Sequence, residues 1–167
     1  MRENTWIERD KHLNQLTDRI MLTIRKMEAN HVQSVADLMF RLWPDEDPAE
    51  LLADCHRICA SQKEICFAAI HQDKVIGFIH LSQRTDYVEG CESSSVAYIE
   101  GIFVSKMKQK QGIGRMLVRT GEDWARINEL TEIGSDAELN NTQSHAFHLA
   151  CGYREANRII CYKKELS

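Results

Sequence analysis

The sequence has little of what marks a fibrous, membrane-spanning or secreted chain. Two prolines and eight glycines in 167 residues are too few for a fibrous or disordered protein. No apolar run approaches the ~20 residues that cross a bilayer, and the first residues lack the charged-then-apolar pattern of a signal peptide. We therefore expect a cytoplasmic protein with no membrane partner.

An excess of basic residues is also lacking. Lys and Arg number 21 against 25 Asp and Glu, which gives a net charge of −4. A protein that wraps nucleic acid needs a clearly basic face, so no nucleic-acid partner is expected. Hydrophobic residues make up 43% of the chain, enough for one buried core in a domain of this length.

The spacing of the cysteines excludes the simplest metal site. Cys55 and Cys59 are separated by three residues, and there is no second close pair to complete a tetrahedral zinc site. No metal is therefore expected. The six cysteines are predicted to be free thiols, as is usual in a reducing compartment.

The N-terminal residues differ in pattern from the rest of the chain. Residues 1–20 carry mixed charges, with Trp6, Leu13 and Leu16 at helical spacing. We predict a helical N-terminal appendage over this segment and a single domain over 21–167.

Within that domain, apolar residues recur at strand spacing and at helix spacing in turn. Strands are predicted over residues 22–27, 65–71, 74–82, 96–104, 129–135 and 153–163, and helices over 32–43, 48–60, 113–128 and 142–150. This order predicts an α/β fold with a mixed, mostly antiparallel sheet and helices on both faces.

The segment from Gln109 to Gly114 is the most informative one, because it joins a predicted strand to a predicted helix. Gly112 and Gly114 lack a Cβ atom, so successive N–H groups can point into one concavity at the helix start. The unpaired N–H groups and the dipole of that helix favour an anion of pyrophosphate size. The three spaced glycines of a dinucleotide fold and the Gly-Lys-Ser/Thr of a P-loop are missing. An ordinary glycine-containing turn is the alternative.

The elements around this segment follow a recognisable order. A strand, Gln-x-x-Gly-x-Gly and a helix precede a further strand, Asn141, an amphipathic helix and Cys151-Gly152-Tyr153. This order resembles the GNAT superfamily of acetyl-CoA-dependent N-acetyltransferases, over about residues 22–166. The segments similar to its aminoglycoside 6′-N-acetyltransferases are Leu42-Trp43-Pro44, 86–91, 98–104 and Ser135-Asp136.

The resemblance implies an acetyl-CoA site beside a splayed central strand pair. Strands 96–104 and 129–135 would part, leaving backbone groups to pair with the pantetheine arm and an N–H to polarise the thioester carbonyl. The glycine-containing loop would hold the pyrophosphate, and Asn141 would cap the last helix near the coenzyme. The implied coenzyme-binding residues are Ile102, Phe103, Val104, Gln109, Lys110, Gln111, Gly112, Ile113, Gly114, Arg115 and Asn141.

The acceptor side needs a carboxylate, because an amine attacks a thioester only when neutral and a base must take its proton. Asp136, just past a strand end, and Glu100, within the strand beside the implied thioester, are the candidates for catalysis and substrate binding. Asp136 is the first choice as base. A turn aspartate and a carboxylate used only for positioning are the respective alternatives. Trp43 and Tyr87 would line a sugar site, although a tryptophan before proline is more often a core residue.

The function implied is transfer of acetyl from acetyl-CoA to the 6′-amine of an aminoglycoside. Transfer is expected to be direct, in a ternary complex, because no cysteine has a recognisable activating base. Acidic residues within 45–54 and 86–92 would concentrate a polycationic amine substrate, which also suits a polyamine. A non-catalytic acyl-CoA-binding module is a further alternative. By analogy with the family, a homodimer is expected.

One position departs from the family pattern. Many members carry a tyrosine four residues before the glycine of the last motif, as general acid for the leaving thiolate, where this chain has His148. Packing is the favoured role for His148, and Tyr153 and Tyr162 are weaker candidates for the acid. The general acid is therefore not assigned.

Overall fold

The computed structural model describes residues 22–166, and within them five strands form one sheet. The strands are β1 (Leu22–Lys26), β2 (Glu64–His71), β3 (Lys74–Arg84), β4 (Val96–Val104) and β5 (Ile133–Ser135). The helices are α1 (Val32–Leu42), α2 (Pro48–Ala60), α3 (Ile113–Ile127) and α4 (Thr142–Ala150), with 3-10 turns at Ala29–His31 and Lys106–Lys108. The helix predicted within residues 1–20 lies outside the described residues.

The sheet is mixed and mostly antiparallel, as predicted. Its strands lie in the order β1-β2-β3-β4-β5, with antiparallel pairs as far as β4 and a parallel pair between β4 and β5. Gln72 and Asp73 join β2 to β3 with φ angles of 50 and 60°, the left-handed values that a tight two-residue hairpin turn needs.

Helices cover both faces of the sheet, which confirms the predicted fold class. Phe78 of β3 is buried in a core cluster with Met39 of α1 and Cys55 of α2. The next residue, Ile79, points to the opposite face and packs with Leu117 of α3. No helix between residues 22 and 166 is both long and apolar enough to cross a membrane.

Helix α3 packs on the sheet with one face and leaves two of its large apolar side chains exposed. Ile127 is 80% exposed and Met116 is also exposed. The buried face is a row of residues four apart, together with Val118 beside it: Ile113, Leu117, Gly121 and Ala125 form the row. A Cβ on Gly121 would lie 2.8 Å from Cδ2 of Leu81, so the glycine lets the helix approach β3 closely.

The C-terminal part departs most from the sequence-based expectation. The strand predicted over 129–135 is only three residues long, because Glu129 turns the chain at φ 60° and the N–H of Leu130 still donates to Ala125 of α3. The strand predicted over 153–163 is wrong, since residues 153–166 form no strand. β5 is therefore an edge strand, and the β4–β5 pair lies at the edge of the sheet.

Candidate active site

A group of polar side chains lies on β3, on β4 and just beyond β5, and we call it the carboxylate cluster. Alternate residues of a strand face the same side, so Ser82 and Arg84 share one face of β3. Ser82 is opposite Tyr98 of β4 in the register. The members of the cluster are Ser82, Arg84, Tyr98, Glu100 and Asp136.

Glu100 is fixed from two sides. Nη2 and Nε of Arg84 donate to its two carboxylate oxygens at 2.6 and 3.0 Å, a forked ion pair, and the hydroxyl of Ser82 donates to Oε1. Partial burial opposes ionisation of Glu100, but these hydrogen bonds outweigh it and lower the pKa of the carboxyl. Glu100 is therefore held as an anion whose oxygens already accept hydrogen bonds.

Asp136 is connected to the same arginine through Tyr98. The hydroxyl of buried Tyr98 donates to Oδ1 of Asp136 at 2.6 Å, and the guanidinium carbon of Arg84 lies 3.4 Å from the centre of the tyrosine ring. Burial and then the hydrogen bond to Asp136 raise the pKa of Tyr98, so the phenol keeps its proton. Asp136 itself is exposed. Of the two predicted carboxylates, Asp136 is the better placed to take a proton from an incoming amine.

An irregularity in β4 explains how Glu100 comes to face this cluster. His80 pairs with Gly101 and Leu81 pairs with Ile99, so Glu100 has no residue opposite it in β3. Such a β-bulge bends its strand and turns the extra side chain in a new direction, often beside an active site.

β4 and β5 part directly after this bulge. Their parallel pairing runs from Ala97 with Ile133 to Ile99 with Ser135 and ends there, while β4 continues to Val104. The edge of β4 from Glu100 to Val104 therefore has no pairing to β5. An extended arm with its own amide groups can pair with this edge, which is the role implied for Ile102, Phe103 and Val104.

The glycine-containing loop lies between β4 and α3. The side-chain amide of Gln109 donates to the carbonyl of Val104 at 2.9 Å and so ties the loop to the strand end. Lys110 and Gly112 have φ angles of 59 and 83°, both in the left-handed region. Gly112 is the N-cap of α3 and makes no side-chain cap. The first N–H groups of a helix have no intrahelical acceptor, so this start suits a pyrophosphate group.

The two glycines of this loop have different roles. A Cβ on Gly112 would meet nothing within 4 Å, so its φ angle, and not crowding by the protein, calls for glycine. A Cβ on Gly114 would lie 3.0 Å from the ring of Phe147 in α4. Gly114 therefore lets the two helices pack. The side chain of Arg115 donates to the carbonyl of Ala150 at 3.0 Å, at the end of α4.

Trp43 lies partly in the core and partly beside the carboxylate cluster. It follows α1 and packs partly in the core, with its ring 6.3 Å from that of Phe78. Its indole also covers Gly101, where a Cβ would lie 2.5 Å from an indole carbon. Because Gly101 follows Glu100, the half-buried indole forms a wall beside the carboxylate cluster.

Tyr87 lies outside the cluster, on the loop after β3. It is 78% exposed, and its hydroxyl donates to Glu89 of the same loop at 2.8 Å. Val88 anchors this loop by packing against Val96 and Tyr98. A sugar-binding role for Tyr87 stays a prediction.

Two further residues lie near the ends of β5 and α4. The side chain of Asn141 accepts from the N–H of Ser144 at 3.0 Å and caps α4, as expected. In α4, Nδ1 of His148 is 2.8 Å from the carbonyl of Ser144 and Nε2 is 3.0 Å from Oγ of Ser135. The His148 ring also meets those of Phe147 and Tyr153 edge-on. His148 thus packs as expected, although it also contacts the serine that precedes Asp136.

The sequence-based reasoning missed Ser82, Arg84 and Tyr98. A weak signal was present, because β3 ends in three polar residues, Ser82-Gln83-Arg84, after an apolar stretch. Arg84 stands at the start of a polar loop in the sequence, so its ion pair became visible only with the β3–β4 register.

The sheet parts between two parallel strands, a helix begins after the longer of them, and two carboxylates lie where they part, which is the arrangement that the resemblance implies for an acetyltransferase. The profile of the acetyltransferase (GNAT) family matches residues 31–153, and the chain belongs to this family.

Two curated relatives within this family are similar to the chain over most of its length. The chain is 34% identical to an aminoglycoside N(6′)-acetyltransferase type 1 of Salmonella enteritidis, over 86% of this chain and 99% of that protein. It is 35% identical to the enzyme of the same name from Serratia marcescens, over 75% of this chain and 86% of that one. These relatives confirm the resemblance seen in the sequence.

Solved structures agree with these relatives. The aminoglycoside acetyltransferase AAC(6′)-Iy, in complex with the bisubstrate analogue CoA-S-monomethyl-acetylneamine, superposes with a TM-score of 0.83 at 34% identity, covering 87% of this chain and 99% of that one. The apo aminoglycoside 6′-N-acetyltransferase AAC(6′)-Ig of Acinetobacter haemolyticus gives 0.82 at 30% identity, with the same coverage of both chains.

Proposed function

We propose that this protein transfers the acetyl group of acetyl-CoA to the 6′-amine of aminoglycosides. The observation that carries the proposal is the position of Glu100 and Asp136 at the point where β4 and β5 part. Similarity to aminoglycoside 6′-N-acetyltransferases over most of the chain supports it.

The donor would be held mainly by backbone groups. Acetyl-CoA supplies an activated acetyl group as a thioester. The free edge of β4 at Ile102–Val104 would pair with the pantetheine arm, and the residues from Gln109 to Arg115 would bind the pyrophosphate at the start of α3. Lys110 and Arg115 add positive charge there, and the cap of α4 at Asn141 completes this side.

Asp136 would act as the general base for the attacking amine, directly or through one water. Glu100, fixed as an anion, would bind and position a second ammonium group of the substrate. Trp43 and Tyr87 would contact its sugar rings.

The thiols favour direct transfer over a covalent acetyl-enzyme. A cysteine nucleophile must ionise readily, but burial raises the pKa of Cys55 to about 12 and also raises the pKa of Cys66. Burial raises the pKa values of the less buried Cys91 and Cys151 as well. Transfer within a ternary complex of enzyme, acetyl-CoA and amine is therefore the mechanism we propose.

A polycationic acceptor suits the exposed acidic residues near the site. Asp45, Glu46 and Glu50 around the start of α2, and Asp86 and Glu92 on the loop after β3, are exposed. Acidic residues beside a cleft raise the local concentration of a polycation, and salt weakens this effect. A polyamine would benefit in the same way, so it is the competing acceptor.

Thiol release from acetyl-CoA tests the proposal. One aminoglycoside should carry a 6′-amine and the other a 6′-hydroxyl, with spermidine and a reaction without acceptor in parallel. Release only with the 6′-amine is expected. Faster release with spermidine than with any aminoglycoside would replace the proposed acceptor, and binding of acetyl-CoA without release on any amine would indicate a non-catalytic module.

We further propose a homodimer that acts in the cytoplasm. Exposed apolar side chains on the C-terminal segment, among them Ile160 and the 91% exposed Tyr162, support coverage by a second copy. The cysteines are free thiols in the structure, as suits a reducing compartment. Light scattering after size exclusion should give twice the 19.3 kDa chain mass, and a monomer would contradict the dimer.

Residues 1–20 are proposed to be an appendage to a single domain over 21–167. A chain that begins at Met21 should then keep the thermal midpoint and the turnover of the full chain. A loss of either would make the segment part of the domain or of the site.

A further inference from the structure

The carboxylate cluster contains a cation that the proposed chemistry does not call for. Arg84 lies between Glu100 and Tyr98, and its side chain is only 32% exposed. In a site for a polycationic amine, a fixed positive charge opposes substrate binding. The presence of the arginine therefore needs another explanation.

The geometry gives one, because the edge and the face of the guanidinium contact different partners. The edge donates to both oxygens of Glu100, at 2.6 and 3.0 Å. The face lies over Tyr98, 3.4 Å from the ring centre, and the hydroxyl of that tyrosine holds Asp136 at 2.6 Å. Since the guanidinium is planar and rigid, fixing its edge also fixes the plane on which the tyrosine packs.

We propose that Arg84 is a positioning residue, which holds Glu100 as an anion and, through Tyr98, fixes the carboxylate of Asp136 relative to it. The inference rests on the proposed function, in which Asp136 takes the proton of the amine. Arg84 compensates the charge of Glu100, so Asp136 is the carboxylate left without an ion-pair partner in the cluster.

Other polar groups around Glu100 do not replace Arg84. Ser82 on β3 donates one hydrogen bond but carries no charge. His80, also on β3, adds a smaller electrostatic contribution, and burial lowers its pKa despite its hydrogen bond to Glu64. On the loop after β3, Asp86 interacts with the guanidinium of Arg84. Arg84 is thus the permanent cation that faces Glu100.

Steady-state kinetics of Arg84→Met and Arg84→Lys test this role. In the Met variant we expect kcat to fall by about 10- to 100-fold, as misplacement of a catalytic group by an ångström does, with no rise in the KM of the amine because a repelling charge is gone. Lysine keeps the charge but loses the fork and the planar face, so its kcat should lie between those of the Met variant and the wild type. Arg126→Met, which removes an exposed ion-paired arginine of α3, is the matched control and should leave kcat unchanged.

Titration of the Glu100 carboxyl by carbon NMR separates this role from simple loss of packing. Arg84 lowers the pKa of Glu100, so in Arg84→Met the carboxyl should take up its proton at higher pH, and the acidic limb of kcat/KM should move the same way. Tyr98→Phe keeps the ring and removes the hydroxyl, so it should lower kcat while the titration of Glu100 stays unchanged.

Three outcomes would overturn the inference. One is a kcat of Arg84→Met within twofold of the wild type, and another is a loss confined to acetyl-CoA binding. The third is an unshifted titration of Glu100 in Arg84→Met or, if that variant fails to fold, in Arg84→Gln, which also removes the charge. Because the titration needs no turnover, it tests Arg84 even if the wild type acetylates no amine, which would defeat the proposed function alone.

Discussion

In the carboxylate cluster each side chain bonds to another, whereas the loop from Gln109 to Gly114 presents backbone at a helix start without a side-chain cap. Arg84 contacts Glu100 directly, and it contacts Asp136 indirectly through Tyr98. In the loop, left-handed backbone at Lys110 and Gly112 sets the direction of the N–H groups.

The cluster uses side chains and the loop uses backbone because the two halves of the site are proposed to bind different groups. A pyrophosphate needs several N–H donors at one place, and backbone supplies them whatever the side chains are. An amine that must lose a proton needs one carboxylate at one position, and only a braced side chain supplies that. Substitutions in the cluster should therefore act through lost chemistry, and substitutions in the loop through altered backbone conformation.

Asp136→Asn should produce the largest effect, a loss of turnover that leaves acetyl-CoA binding intact. A general base contributes about 10²- to 10⁴-fold to a rate, so kcat should fall within that range. The affinity for acetyl-CoA, measured by calorimetry, should stay within about twofold, because the loop and the β4 edge are untouched.

Asp123→Asn is the matched control, since Asp123 is an exposed aspartate of α3 paired with Arg126. It should leave both quantities unchanged. Near-normal turnover in Asp136→Asn would remove Asp136 as base, and a large fall in acetyl-CoA affinity would mean that the two halves are not independent.

Gly112→Val should affect the loop half and the affinity for acetyl-CoA. A branched residue at φ 83° is strained by about 1–2 kcal/mol, so the loop relaxes and binding must restore its shape. At about 1.4 kcal/mol per tenfold change, the dissociation constant should rise by roughly 5- to 30-fold in calorimetry. With saturating acetyl-CoA, kcat should remain close to the wild-type value.

Gly152→Val is the control, because it introduces similar backbone strain outside the loop from Gln109 to Gly114. Gly152 has φ 94° and, like Gly112, nothing within 4 Å of its Cβ position. It should lose a similar amount of stability but keep the affinity for acetyl-CoA. Equal affinity losses in both variants, or none in Gly112→Val, would mean that the loop does not bind the coenzyme.

Sequence patterns predicted those parts of the fold that are specified locally. Strands β2, β3 and β4 and helix α2 were correctly predicted. Helix α2, for example, begins where the side chain of Asp47 accepts from the N–H of Ala49 at 2.7 Å, an interaction between near neighbours in the chain. The strand predicted over 153–163 was wrong. A sequence pattern does not show whether a neighbouring strand is available for pairing, and β5 offers only three residues.

The site shows the same division. Chemistry and family resemblance selected Asp136, which follows the end of β5, and Glu100, which lies within β4 beside the implied thioester. Arg84 was missed because its role depends on the β3–β4 register and on the bulge at Glu100. The strand register and the bulge cannot be read from composition or periodicity. An arginine that begins a polar stretch of sequence ordinarily lies in solvent.

The smallest effect expected concerns Gly114, and it tests whether this glycine serves packing more than the ligand. A Cβ at this position would lie 3.0 and 3.2 Å from two ring carbons of Phe147, so an alanine gains helix propensity but crowds α4. Replacing Phe147 by leucine removes the ring edge. Gly114→Ala should therefore be more favourable in the Phe147→Leu background than in the wild type, by about 0.5–1 kcal/mol in a double-mutant cycle of unfolding free energies. Additive effects would show that the close approach does not matter, whereas a coupling seen instead in acetyl-CoA affinity would assign Gly114 to the coenzyme and make both glycines part of the backbone half of the site.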